Sequence, residues 1–203
     1  MSDSSHAAAM EPPPFGIETK KFTMWLFILA DAATFAALLF AYGYLRAGSP
    51  DWPRVFDFTP TIVNGLVMTF ILLTSSLTML VAVNHAQAGR RDQSVRWIWI
   101  TALLGVLFAA LHLREWFKMF GEGWTPATNP LGGPVAFGAG FFGITGLHLT
   151  HVVCGVVALA VVARKFKNGR LTAGHIETTG LYWHFVDLVW MFVFPMVYLM
   201  NAK

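Results

Sequence analysis

Seven acidic or histidine side chains stand inside largely apolar stretches, and they come in spaced sets. Asp31 follows Trp25-Leu26-Phe27-Ile28-Leu29-Ala30. His112 and Glu115, His148 and His151, and His184 and Asp187 are three such pairs, each three residues apart and so on one helical face. An ionisable group at the centre of a bilayer costs about 2.5–3.5 kcal/mol on insertion scales, so each of these is a functional hypothesis by default. Three kinds of chemistry are open to them. Histidines on membrane helices can ligate haem, or join carboxylates around a metal. A carboxylate with histidines can relay protons. The plainest alternative is a lattice of interhelical hydrogen bonds with lipid head-group contacts. Two axial haem ligands should face each other across a bundle, which neighbours on one helix do not do.

The elements that must carry these groups follow from hydropathy. The chain has 203 residues, 56% hydrophobic and 12% charged, with a mean hydropathy of +0.57; soluble domains carry about a quarter charged residues. Apolar segments at 22–45, 61–84, 95–117, 135–163 and 178–200 each supply the ~20 residues that cross about 30 Å of hydrocarbon as a helix. Strands are excluded because an open edge in lipid leaves backbone groups unpaired. The fold class is therefore all-α: a polytopic bundle of five transmembrane helices over 21–203, preceded by a polar tail at 1–20. That tail lacks the basic and apolar regions of a signal peptide. Gly132-Gly133-Pro134 is a stop before the fourth helix. The polar loops are too short for a catalytic domain outside the membrane.

Lys20, Lys21, Arg90, Arg91, Arg96, Arg164, Lys165, Lys167 and Arg170 fall on the N-terminal side of the segments, against Arg46, Arg54, Arg114, Lys118 and Lys203 on the other. The excess places the N-terminus in the cytoplasm and, with five crossings, the C-terminus outside. Asp31 then lies about 14 Å deep, either protonated or paired. Depth groups Asp31, His148, His151 and Asp187 as a set that can converge, and sets His112 and Glu115 apart. The Lys and Arg residues flank helix ends, and no basic face with interleaved aromatics exists, so nucleic acid is not an expected partner. Cys154 is the single cysteine, expected as a small buried packing residue. Gly65, Ser75, Ser76, Gly138, Gly140, Gly143 and Gly146 predict close helix approach. Trp25, Trp52, Trp97, Trp116, Tyr182 and Tyr198 fit an interfacial belt. No P-loop, nucleotide fingerprint, nucleophile elbow or His-Glu-x-x-His pattern is present in the sequence.

Four ordered motifs carry a resemblance. Tyr182-Trp183-His184-Phe185-Val186-Asp187, Thr145-Gly146-Leu147-His148-Leu149-Thr150-His151-Val152, Glu115-Trp116 and Trp25-Leu26-Phe27-Ile28-Leu29-Ala30-Asp31 resemble motifs of subunit III of the haem–copper respiratory oxidases. The likeness runs from about Lys20 to the C-terminus. Asp31 stands where many members carry Glu, which keeps the carboxylate and shortens its reach. Longer members have seven helices; five is the count of the short bacterial forms.

The resemblance implies a subunit of a proton-pumping terminal oxidase in the bacterial inner membrane, with cytochrome c expected ahead of quinol as electron donor. It implies no catalytic residue, metal or haem in this chain, the haems and copper lying in partner subunits. Subunits I and II, a small subunit IV and membrane phospholipids are the implied partners. Asp31, His148, His151, His184 and Asp187 are the implied polar core of a lipid-binding cleft, with Glu115 a separate anchor. A nitric oxide reductase accessory protein, an independent b-type cytochrome and a small transporter are the rival readings.

Overall fold

The computed structural model describes residues 19–203. Five helices long and apolar enough to cross a membrane account for most of these residues: α1 (Thr19–Ala47), α2 (Val63–Gln87), α3 (Arg91–Gly121), α4 (Ala136–Lys167) and α5 (Ala173–Val193). The expected tail at 1–20 lies outside the described residues except for Thr19 and Lys20, which already belong to α1. Most helices overrun their expected bounds by up to about a turn at an end. Hydropathy marks only the slab of hydrocarbon, whereas a helix continues past it until capping chemistry stops it. Glycines end α2 and α4 in this way: Gly89 and Gly169 take φ of +73° and +72°, a conformation open to them for want of a Cβ.

Proline shapes two ends. Thr59, ahead of Pro60, is extended at φ −120° and ψ 125°, the region to which a following proline confines a residue. The chain thus enters α2 through a wide turn, Phe58–Ile62. Past α5, Pro195 lacks the N–H that an α-helix needs, and the helix opens into π-type turns at Phe194–Tyr198 and a final 3₁₀ turn at Leu199–Asn201.

Helices α2 to α5 form a bundle in which α5 is the most enclosed; α1 packs on its outside, against α4 and α5. Only Ile28, Phe35, Leu39 and Tyr42 of α1 are buried, a single narrow stripe at near-heptad spacing. Trp183 and Trp190 of α5 are fully enclosed and donate Nε1–H to Ser75 Oγ and Thr69 Oγ1 of α2, both at 3.0 Å. The expected small residues do make room, but mostly for rings rather than for helix backbones. A Cβ on Gly65 would stand 2.2 Å from the Phe194 ring, and one on Gly140 2.5 Å from Tyr42. Gly143 meets nothing within 4 Å.

Two expectations need correction. Cys154 is exposed on the outer face of α4, because its position falls opposite the stripe Thr145, His148, Val152, Gly155 and Leu159 that faces the bundle. Several expected belt aromatics are internal. Tyr198 is buried, Tyr182 donates its hydroxyl hydrogen to the carbonyl of His151 at 3.0 Å, and Trp116 donates to Thr145 Oγ1 at 3.2 Å. Nearness to a segment end sets the depth of an aromatic and leaves its facing open.

Candidate functional site in the helix bundle

The polar residues of the sequence fall into three places. The first joins α1 to α4. Asp31 Oδ2 lies 3.0 Å from His151 Nε2, and His151 Nδ1 lies 2.8 Å from the Leu147 carbonyl one turn back. The side chains are 22% and 16% exposed, enough enclosure for the pair to hold α1 in register. A helix with one narrow buried stripe draws much of its positioning from such a contact.

The second place is a box of four rings. His148, one turn from His151, turns the other way, into the bundle. It lies 5.2 Å from Trp190 and 5.7 Å from Phe108, centroid to centroid, and His112 lies 5.6 Å and 5.8 Å from the same two rings. Both imidazoles are fully enclosed, and none of their four nitrogens has a hydrogen-bond partner among the described residues. The expectation that His112 stands apart is thus overturned. Depth along α3 put it near an end, but α3 runs to Gly121, so His112 lies more than two turns inside. Phe35 bridges the two places, its ring centroid 5.4 Å from that of His151 and 6.5 Å from that of His148, both edge to face.

The third place is the contact of α5 with α2. Ser76 Oγ lies 2.5 Å from His184 Nδ1. Asp187 is buried, and neither carboxylate oxygen has a hydrogen-bond partner among the described residues. Asp187 therefore does not join Asp31 and His151 by any hydrogen bond. Glu115 does stand apart, toward the far end of α3, where its Oε2 accepts from Asn64 Nδ2 at 3.1 Å.

No group of three or more His, Cys, Asp or Glu side chains placed to hold a metal occurs among the described residues. Haem fits poorly between His112 and His148, since Phe108 and Trp190 pack against both imidazoles.

Beside the Asp31–His151 pair, α1 and α5 part to leave an apolar groove of about 400 Å³, floored by Phe35, Leu39, Phe185 and Val189 and rimmed by Phe40 and Phe192. Polar clasps fasten α1 beyond both ends of the groove. Lys21 Nζ meets Glu177 Oε1 at 2.6 Å, and Lys20 Nζ donates to His175 Nε2 at 3.0 Å. At the other end Asn201 accepts from Trp52 Nε1 at 2.9 Å and Arg46 Nε at 3.2 Å, and donates to the Tyr42 hydroxyl at 2.7 Å. Asn201 was not among the residues singled out from the sequence, because its partners lie some 150 positions away.

The family model described as cytochrome c oxidase subunit III matches residues 14–202. Among similar proteins, cytochrome bo(3) ubiquinol oxidase subunit 3 of Pseudomonas aeruginosa is 34% identical over 89% of this chain and 85% of its own length. Cytochrome c oxidase subunit 3 of Alkalihalophilus pseudofirmus is 31% identical over 98% of this chain and 97% of its own. Quinol oxidase subunit 3 of Bacillus subtilis is 32% identical over 99% and 98%. With a match across nearly the whole length and five spanning helices, this multi-pass membrane protein belongs to the cytochrome c oxidase subunit III family.

Proposed function

We propose that this chain is the non-redox subunit III of a haem–copper terminal oxidase. It binds phospholipid in the groove between α1 and α5, steadies the catalytic subunit and sustains that subunit's proton uptake while oxygen is reduced to water. The observation that carries the reading is the pairing of Asp31 with His151 beside that groove. The pair fixes the outlying helix at mid-membrane, and the groove offers acyl chains an apolar wall with polar clasps beyond either end.

The relatives' names support the oxidase assignment and divide between cytochrome c and quinol as donor; cytochrome c is our reading, on the resemblance alone. Haems and copper belong to subunits I and II, and a small subunit IV completes the set of partners. The nine cations on the α1 N-terminal side favour a cytoplasmic N-terminus in a bacterial inner membrane.

Gentle detergent extraction followed by identification of the co-purifying proteins tests the reading. Oxidase subunits I and II should accompany the chain, in a complex that oxidises reduced cytochrome c. Nitric oxide reductase subunits in their place would overturn it. A haem spectrum from the chain purified alone would overturn the non-redox assignment.

A further inference from the structure

Away from the groove, at the end of the bundle opposite Thr19, two polar cavities of about 330 and 200 Å³ meet at Glu115 and Lys118, which line both. We propose that these cavities form a head-group site for a zwitterionic phospholipid whose terminal amine carries N–H donors, the phosphoethanolamine class.

Burial sorts the charges by depth. Glu115 is the innermost charged group, 7% exposed and tethered by Asn64 at 3.1 Å. Outside it the larger cavity is lined by exposed charges of both signs with cations in excess: Lys203 pairs with Asp57 at 3.3 Å, and Glu122 lies beside Lys118. Arg114 borders the smaller cavity and Arg54 the larger, both exposed, while Lys118 reaches Thr61 Oγ1 at 3.4 Å and Glu122 at 3.9 Å. A ligand that fits must present a cation at its tip and an anion directly behind it. An ethanolamine phosphate has that order: the ammonium donates to the enclosed carboxylate while the phosphate meets the outer guanidinium and ammonium groups.

The depth agrees. Both cavities lie where α2 begins and α3 ends, in the last turns of spanning helices, where head groups sit. Phe58 and Phe117 stand exposed beside them as surface for acyl chains. A trimethylated ammonium has no N–H for Glu115, and a glycerol head group has no cation. The site shares no lining residue with the groove between α1 and α5, so either can fail without the other.

Native mass spectrometry of the delipidated complex tests the site, with phosphatidylethanolamine, phosphatidylcholine and phosphatidylglycerol of identical acyl chains titrated in turn. The ethanolamine lipid should be retained roughly tenfold better than the choline lipid, the order of one charge-assisted hydrogen bond. Glu115→Gln should erase that preference. Arg114→Ser, at an exposed position independent of the buried carboxylate, should weaken both lipids and keep their ratio. Equal retention of ethanolamine and choline lipids by the unaltered complex would overturn the proposal. So would strongest retention of phosphatidylglycerol, an unchanged preference in Glu115→Gln, or cross-linking of both cavities to a partner polypeptide.

Discussion

Asp31 and His151 act as a unit, since each gives the other a partner in surroundings that offer few. Removing one leaves the facing Oδ2 or Nε2 largely enclosed without this partner, a loss of about 1–3 kcal/mol. Asp31→Ala in the assembled complex should therefore lower its thermal stability and its lipid retention, or shorten its sustained turnover, with haem content unchanged. A spectrum showing lost haem would contradict this. Asp31→Ala and His151→Ala should also be strongly non-additive, and additive shifts in melting temperature would show that the 3.0 Å contact does not hold α1. His184→Ala removes the partner of Ser76 and should reduce detergent stability; an unchanged complex would rule out a structural role. Depth alone left Asp31 either protonated or paired, and the contact with His151 Nε2 at 3.0 Å supplies a partner that the sequence did not name. The divergence of His148 from His151 was not legible either. Three residues set two side chains about 60° apart on a helix, and which neighbour each meets depends on where the other helices lie.

At the scale of the helices, α5 is the axis on which the others are arranged, and its two indoles are its means. Gly105 and Gly155 give the Trp183 ring its space: a Cβ on Gly105 would stand 2.5 Å from that ring and 2.7 Å from Val156. Gly105→Leu should separate α3 from α5 and prevent assembly, read as loss of the complex on a sizing column. Gly143→Ala, where nothing lies within 4 Å, should assemble normally. The number, order and rough limits of the helices were legible because apolar runs of this length have one reading in lipid. Their true ends were not, because caps, and not hydropathy, terminate a helix.

For the molecule as a whole, the described polypeptide closes on itself through its last residues. Asn201 binds α1 and the segment after it through Tyr42, Arg46 and Trp52, and the backbone N–H groups of Val55 and Phe56 lie 3.0 and 3.2 Å from its carbonyl. Lys203 adds an ion pair to Asp57 at 3.3 Å. Asn201→Ala should free the far end of α1, seen as faster hydrogen exchange over residues 40–56 with α2–α4 unchanged; unaltered exchange there would count against the clasp. None of this hub was legible in a sequence where its members stand some 150 residues apart.

The two clasps on α1 set the route by which anything reaches the groove. With the helix fastened near both its ends, the exposed flank at Phe40 and Phe192 is the open side of the groove. The opening is a window in the plane of the bilayer, entered sideways by a molecule that is already dissolved there. Its occupancy should follow the composition of the surrounding membrane, and soluble amphiphiles below the concentration at which they partition into lipid should leave it untouched. Flexing of α1 at its middle would widen the aperture, against the hold of the Asp31–His151 contact and of the buried Phe35 and Leu39 beside it.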